Sequence, residues 1–281
     1  MERLPDETVR TYPPGVPSWV DTEQPDVDAA IRFYGGLFGW EFEEALAPGA
    51  HGRYAVATLN GQEVGAVGGP RNGPAAWNTY VAVDDADAAV RHLVSLGAAL
   101  QSAPAESGAG GVRALLTDPE GAGFRLWQAG RRPGAQAVNV PGGWNFSDLH
   151  TADIAAATGF YVAAFGWQFD ELDFGTMIRM PGYGDHLAAT VDPEIRARQA
   201  GDFTPMGFED AVAWVVPADP GEPAQWHVSF TVADRDQTAD QAERLGATIL
   251  QRYDTDWTRS ARIRDPWGAE FTASQFTPPS G

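Results

Sequence analysis

The chain has 281 residues, a formal net charge of −19 and no cysteine. This length predicts two globular domains, and the negative surface argues against a nucleic-acid partner because phosphate backbones would be repelled. The absence of cysteine excludes disulfides, thiolate nucleophiles and Cys-ligated metal clusters. All 19 basic residues are arginine, which excludes Schiff-base enzymes, pyridoxal-phosphate enzymes and P-loop nucleotidases, since each of these needs a lysine.

The N-terminal segment MERLPDE is charged and lacks the apolar centre of a secretory signal peptide. No stretch of the sequence approaches the 18 or so consecutive apolar residues of a membrane span. We therefore expect a cytoplasmic protein that does not associate with a membrane.

The chain contains an internal repeat. Residues 29–40 (AAIRFYGGLFGW) recur as residues 156–167 (AATGFYVAAFGW), an offset of 127, and residues 77–98 align with 226–247 at an offset of 149. The difference of about 22 residues between these offsets predicts an insertion in the second half, which we place at 192–223. We expect this insertion to be either a lid or rim element or a neutral surface excursion.

The repeat divides the chain into four modules. In chain order these are the first (16–70), second (75–129), third (142–217) and fourth (224–276) modules. Each begins with an alternating run typical of a half-buried strand and continues into a helix. In the first module, Asp26 is the expected N-cap of a helix that Gly39 ends. Further alternating runs follow each helix, with turns at Asn60-Gly61 and at the D-P-x-G motifs that begin at Asp118 and Asp265.

This βαβββ pattern, with FY-x₃-FGW in the helix and D-P-x-G before the last strand, resembles the vicinal oxygen chelate superfamily. That superfamily includes glyoxalase I, extradiol dioxygenases, and bleomycin- and fosfomycin-resistance proteins, and the chain looks most like its tandem actinobacterial members. The resemblance implies an α+β fold in which four βαβββ modules form two glyoxalase-like domains with cup-shaped mixed sheets. We place the domains at residues 16–129 and 144–276, with a linker at 130–143.

Enzymes of this superfamily hold a divalent metal through His or Gln in the first strand and Glu in the last strand of a module. Carried over to this chain, the first-strand position falls on Trp19, Asn78, Phe146 and His227. The last-strand position falls on Arg125 in the second module and Thr272 in the fourth. We therefore predict no metal and no cofactor. The alternative is a metal site that combines His227 with Glu63 and Glu270.

Alternation along the strands predicts the side chains that line the cups. If the second module faces the third, their cup collects Asn78, Tyr80, Arg125, Trp127, Phe146, Asp148 and His150. If the first faces the fourth, their cup collects Trp19, Asp21, His227, Ser229, Glu270, Thr272 and Ser274. Both sets mix aromatic surfaces with a few polar groups, a composition typical of a small-molecule pocket. Arg125 offers a planar donor fork to a ligand oxygen and can alternatively pair with Asp148.

These features favour a metal-independent protein that binds an aromatic or polyketide-like natural product, with a role in resistance or as a biosynthetic accessory. Two alternatives remain at this point. One is a metal-dependent lyase, isomerase or dioxygenase that uses His227. The other is a metal-free acid–base enzyme, such as a cyclase or hydratase, that uses His150 with Asp148. We expect a monomer or a homodimer.

Overall fold

The first half of the chain forms two βαβββ modules. The computed structural model describes residues 9–46, 49, 52–201 and 204–277. The elements of the first half are β1 (Pro17–Glu23), α1 (Val27–Phe38), β2 (Glu41–Glu44), β3 (Arg53–Leu59), β4 (Gln62–Gly69), β5 (Ala76–Ala82), α2 (Ala86–Ser95), β6 (Ala99–Glu106), β7 (Gly111–Thr117) and β8 (Gly123–Ala129). A single 3₁₀ turn at Gly108–Gly110 joins β6 to β7.

The second half repeats this order with additional helices. Its elements are β9 (Trp144–Thr151), α3 (Ile154–Phe165), β10 (Gln168–Leu172), β11 (Gly175–Arg179), α4 (Tyr183–Thr190), α5 (Ile195–Arg198), β12 (Ala211–Pro217), β13 (Gln225–Thr231), α6 (Arg235–Arg244), β14 (Thr248–Asp254), β15 (Thr258–Arg264) and β16 (Glu270–Phe276). The α+β prediction of four βαβββ modules is confirmed.

The insertion lies earlier in the chain than the sequence predicted. The additional elements are α4, α5 and a 3₁₀ turn at Phe208–Asp210, and they separate β11 from β12. The predicted range of 192–223 was wrong at both ends, because it omits α4 and includes β12. The prolines on either side of the short apolar run of β12 make that run resemble part of an irregular connection.

The strands form two eight-stranded sheets. Their orders are β2-β3-β4-β1-β5-β8-β7-β6 and β10-β11-β12-β9-β13-β16-β15-β14. The sheets thus join the first module to the second and the third to the fourth, so the predicted pairing of the second with the third does not describe the sheets. Within each module the first and last strands run parallel, which sets Tyr80 opposite Arg125 and Ser229 opposite Thr272.

The helices begin and end where the local sequence predicts. The carboxylates of Asp26, Asp85, Asp153 and Asp234 each accept a hydrogen bond from the backbone N–H three residues further on. Helices α1 and α3 end at glycines with φ of 73°, a conformation that other residues adopt only with strain. No helix in the described part of the chain has the length and hydropathy needed to cross a bilayer.

By contacts, the chain divides into two compact units. The first unit comprises residues 1–18, 80–134 and 149–225, and the second comprises 19–79, 135–148 and 226–281. The first unit therefore combines most of the second and third modules, and the second unit combines most of the first and fourth.

Each unit has an aromatic core built around one of the repeated helices. In the first unit, Tyr161 of α3 stacks on Trp167 at 5.1 Å and meets Phe124 of β8 edge-on at 6.3 Å. In the second, Tyr34 of α1 stacks on Trp40 at 5.8 Å and meets Trp77 edge-on at 5.3 Å. The FY-x₃-FGW motif thus supplies the core aromatics of both units.

Candidate functional site

Arg125 is the most deeply buried cation among the predicted site residues. Its side chain projects from β8 opposite Tyr80 of β5, and the residue is only 4% exposed. One Nη1–H donates to the Tyr80 hydroxyl at 2.7 Å, and the guanidinium carbon lies 5.3 Å from the centre of the Tyr80 ring. A buried charge needs such partners because its desolvation is costly, so Tyr80 holds the guanidinium in a defined orientation.

Trp127 completes this group, which we name the Arg125 cluster (Tyr80, Arg125 and Trp127). Its ring meets that of Tyr80 edge-on at 6.2 Å. Its indole N–H donates to the carbonyl oxygen of Arg132 at 2.8 Å. The backbone N–H of Arg132 in turn donates to the carbonyl of Gly110, at 3.2 Å. The segment after β8 therefore fixes the Trp127 ring, and the cluster consists of a buried guanidinium held by Tyr80 and a tryptophan ring that packs against the same tyrosine.

His150 forms a second polar group in the first unit. Its Nδ1 lies 3.0 Å from Oε1 of Glu222, which also accepts from the Gln225 side chain at 2.7 Å. Because a carboxylate can only accept, Nδ1 carries the hydrogen and Nε2 is the basic nitrogen of the neutral ring. Burial alone would raise the pKa of Glu222, but the backbone N–H of Asp219 and the His150 ring in its protonated form outweigh it and lower this pKa.

In the second unit, Asp21 lies within a network of neutral donors. It is fully buried on β1, and its two carboxylate oxygens accept from Asn78 Nδ2 at 2.8 Å and from the Tyr54 hydroxyl at 3.0 Å. The indole N–H of Trp19 donates to the same Tyr54 oxygen at 2.9 Å. Three predicted site residues, Trp19, Asp21 and Asn78, are thus brought together through Tyr54.

The remaining predicted residues of the second unit lie on β9, β13 and β16. Buried His227 places Nε2 2.9 Å from Oγ1 of Thr272, and the Ser229 hydroxyl donates to Asp148 at 3.4 Å. Phe146 lies two residues before Asp148 on β9 and is half-buried. These contacts connect the predicted residues in pairs.

The residues at the metal positions of the superfamily do not fit a divalent cation. The only imidazole among them, that of His227, faces a threonine hydroxyl. The nearby carboxylate of Glu270 is held by Arg262 at 2.9 Å and by Arg264 at 2.7 Å, which neutralises its charge. Arg125, which the resemblance aligns with a glutamate position, would repel a cation. Within residues 9–46, 49, 52–201 and 204–277, no three His, Asp or Glu side chains come together in a group that could hold a metal ion.

The two units divide the predicted site residues between them. Tyr80, Arg125, Trp127 and His150 belong to the first unit, and the second contains Trp19, Asp21, Asn78, Phe146, Asp148, His227, Ser229 and Thr272. Sequence reasoning missed Tyr54 and Glu222. Tyr54 lies near the start of an alternating strand, a pattern that could have placed it on the same face as the residues of β1. Glu222 follows a proline-rich stretch that has no periodic pattern.

The fold is that of a glyoxalase-like protein of the vicinal oxygen chelate superfamily. Its defining features are the repeated βαβββ unit, the parallel pairing of the first and last strand of each module, and the two mixed eight-stranded sheets. Sequence comparison agrees with this classification. The family described as "Glyoxalase-like domain" matches residues 19–127 and 146–274. The chain belongs to this family and contains two copies of its domain.

Two curated relatives match almost the whole chain. The CFP32 protein of Mycobacterium tuberculosis, named provisionally as a glyoxylase, is 35% identical over 274 residues, covering 95% of this chain and 97% of the relative. The anthracycline biosynthesis protein DnrV of Streptomyces peucetius is 33% identical over 282 residues and 94% of each chain. The chain therefore has relatives in anthracycline biosynthesis.

Solved structures share the fold at low sequence identity. The 2,3-dioxygenase LapB from Pseudomonas sp. KL28 superposes with a TM-score of 0.60 at 12% identity, covering 96% of both chains. The Mn(II)-bound glyoxalase from Novosphingobium aromaticivorans gives a TM-score of 0.59 at 14% identity, covering 94% of this chain and 84% of that one. These similarities establish the fold alone.

Proposed function

We propose that this protein binds an aromatic, polyketide-like small molecule without a bound metal and that the Arg125 cluster contacts it. The observation that carries this proposal is the buried guanidinium held against Tyr80 in the first unit. The family resemblance aligns this position with a metal-binding glutamate, which supports binding without a metal. A ligand bound by this group acts either as a sequestered drug, in resistance, or as an intermediate in natural-product biosynthesis.

The chemistry of the cluster defines the ligand class. A guanidinium presents a planar set of donors that matches a carbonyl pair, a carboxylate or a phenolate. Aromatic rings such as those of Tyr80 and Trp127 stack on flat ligands, at about 0.5–1.5 kcal/mol per pair beyond the effect of area burial. The ligand that satisfies both groups is a fused aromatic ring system carrying oxygen substituents. The name of the relative DnrV, which refers to anthracycline biosynthesis, supports this class.

The first test measures ligand binding and metal content on the same preparation. Titration of alizarin, a fused-ring aromatic with two adjacent oxygens, is followed by isothermal calorimetry before and after treatment with EDTA, and metals are measured by mass spectrometry. We expect saturable 1:1 binding that EDTA does not change. Stoichiometric Fe, Mn, Ni or Zn that disappears in His227→Ala would overturn the proposal, as would a complete absence of binding.

A second candidate function is metal-free proton transfer by His150, favoured by one specific observation. Glu222 accepts from Nδ1 at 3.0 Å, an arrangement that orients the ring and stabilises its protonated form. The carboxylate that we expected in this role was Asp148, whereas Glu222 is the partner that the geometry supports.

In this function, the imidazole of His150 would abstract a proton from a carbon next to a ligand carbonyl and return it at another atom of the ligand. The reaction is therefore an isomerisation and needs no co-reactant. The test is exchange of acidic C–H protons of 1-tetralone for deuterium, followed by NMR. We expect exchange that His150→Gln abolishes and that Glu222→Gln slows, with His186→Gln on α4 as the control. Exchange at the solvent rate in the wild-type protein would refute this function.

A further inference from the structure

Three aromatic side chains of the first unit form a group that shares no residue with the Arg125 cluster. Phe174 lies in the turn between β10 and β11, Phe208 lies in the 3₁₀ turn of the insertion, and Trp214 lies on β12. The ring of Trp214 is 5.9 Å from that of Phe174 and 6.3 Å from that of Phe208, with interplanar angles of 45° and 42°. We name these three residues the Trp214 platform.

The platform is partly exposed to solvent. Phe174 is 57% exposed, Phe208 and Trp214 are half-buried, and Met206, two residues before Phe208, is 94% exposed. An isolated exposed apolar side chain needs no explanation, but a contiguous group of them on a soluble protein marks a binding surface. The insertion therefore contributes one of the three rings of the platform, because it places Phe208 in contact with the ring of Trp214.

The segments that carry the platform are strongly acidic. Residues 168–179 and 207–214 contain five carboxylates (Asp170, Glu171, Asp173, Glu209 and Asp210) and a single arginine, Arg179. Asp170 forms an ion pair with Arg179, and Asp210 accepts from the backbone N–H of Gly184 at 2.7 Å. Asp173 directly precedes Phe174 and Glu209 directly follows Phe208, so each phenylalanine has a carboxylate as its neighbour in the sequence.

We propose that the Trp214 platform is a binding site for a flat aromatic cation. An indole ring attracts a cation through its negatively polarised face, and a flanking phenyl ring adds stacking area. The carboxylates at its border favour a positive charge on the ligand and disfavour a negative one. This site would bind a different ligand from the one proposed for the Arg125 cluster, because a buried guanidinium favours a ligand that carries negative charge.

The test uses two tricyclic compounds of similar size and opposite charge, proflavine (a cation) and anthraquinone-2-sulfonate (an anion). Binding of each is measured by calorimetry to the wild-type protein and to Phe174→Leu and Phe208→Leu, which keep an apolar side chain but remove the ring. We expect each substitution to weaken proflavine binding about three- to tenfold. Asp173→Asn combined with Glu209→Gln is expected to weaken it further and to reduce its dependence on salt.

The control is Phe276→Leu. Phe276 is also an exposed phenylalanine, at 63%, and it stacks on a tryptophan, Trp257, at 6.4 Å, but it lies at the end of β16 in the second unit. The general attraction of a cation to a protein of charge −19 is the same in all three phenylalanine variants, so only a site at the platform separates them. Thermal unfolding of each variant establishes that it is folded.

Four results would overturn the proposal, and the first three concern the phenylalanine variants and the anionic compound. The first is a proflavine affinity that is unchanged in Phe174→Leu and Phe208→Leu. The second is a loss of proflavine affinity in Phe276→Leu equal to that in the two platform variants. The third is binding of anthraquinone-2-sulfonate as tight as that of proflavine. A loss of proflavine binding in Arg125→Lys would also overturn it, because the two sites would then not be separate. Failure of alizarin to bind the Arg125 cluster leaves the proflavine result unaffected, so the two proposals fail independently.

Discussion

The hydroxyl of Tyr161 donates to Oδ2 of Asp118 at 2.9 Å in the buried core of the first unit. In the second unit, Tyr34 donates to Asp265 in the same way at 2.8 Å. Tyr161 and Tyr34 are the tyrosines of the two FY-x₃-FGW motifs, and the aspartates open the two D-P-x-G turns. The two strongest motifs of the sequence therefore contact each other in both units, through a hydrogen bond from the tyrosine of one motif to the aspartate of the other.

Each aspartate also organises its own turn. The second carboxylate oxygen of Asp118 accepts from the backbone N–H groups of Glu120, Gly121 and Ala122, at 2.8–3.0 Å. Burial raises the pKa of Asp118, while these N–H groups and the Tyr161 hydroxyl act in the opposite direction without reversing the shift. The helix tyrosine thus anchors the turn that leads into β8, the strand that carries Arg125.

We expect Tyr161→Phe to lower the free energy of unfolding by about 1–2 kcal/mol, because it leaves a buried carboxylate oxygen without its donor. Urea unfolding followed by circular dichroism measures the change. Tyr253→Phe, at an exposed position of β14, is the control and is expected to change stability by less than about 0.5 kcal/mol. Equal effects of the two substitutions would show that the hydroxyl of Tyr161 does not stabilise the turn.

The sequence predicted what depends on local pattern. The N-cap at Asp26, the helix end at Gly39 and the strands around Asn60-Gly61 follow from residue preferences within a few positions, and all are present. The repeat extended these predictions to the other modules, because a motif that occurs twice identifies the same element twice. The superfamily resemblance rested on those motifs and is confirmed.

Contacts between distant segments could not be predicted in the same way. Glu222 is 72 residues from His150, and Tyr54 is 33 residues from Asp21. Neither partner belongs to a repeated motif. Strand alternation assigns Tyr54 to a face of the sheet but does not identify Asp21 as its partner, and no pattern relates Glu222 to His150. The start of the insertion was misplaced for a related reason, since α4 begins at Tyr183 without a side-chain cap.

We expect Arg125→Lys to weaken alizarin binding about tenfold. Lysine keeps the positive charge but loses the planar set of donors that guanidinium offers to a ligand oxygen and to Tyr80. The control is Arg91→Lys, at an exposed position of α2. Calorimetry measures both affinities. An unchanged affinity in Arg125→Lys would remove the cluster from the proposed binding site.

We expect Gly130→Ala to destabilise the protein by about 1–3 kcal/mol and to change the fluorescence of Trp127. A Cβ atom at Gly130 would lie 2.8 Å from the carbonyl oxygen of Ala109, a backbone atom that cannot easily move away. The matched control is Gly123→Ala at the other end of β8, where a Cβ would have no heavy atom within 4 Å. If the two substitutions have the same effect on thermal unfolding, the segment after β8 does not constrain Trp127 in the way we describe.

The His150–Glu222 pair predicts a specific dependence of stability on pH. Burial opposes ionisation of Glu222, but the Asp219 N–H and the His150 ring outweigh it, so the folded-state pKa lies below the unfolded value of about 4.3. A lowered carboxylate pKa contributes stability that is fully present above the unfolded pKa and is lost as the pH falls through the folded pKa. The difference in unfolding free energy between the wild-type protein and Glu222→Gln is therefore expected to be largest above about pH 5 and to shrink below about pH 4.3.

Urea unfolding from pH 3.5 to 7 measures this difference. Glu106→Gln, at an exposed position of β6, is the control for the effect of removing one negative charge. A difference that stays constant or grows as the pH falls from 5 to 3.5 would contradict a charged Glu222 next to His150.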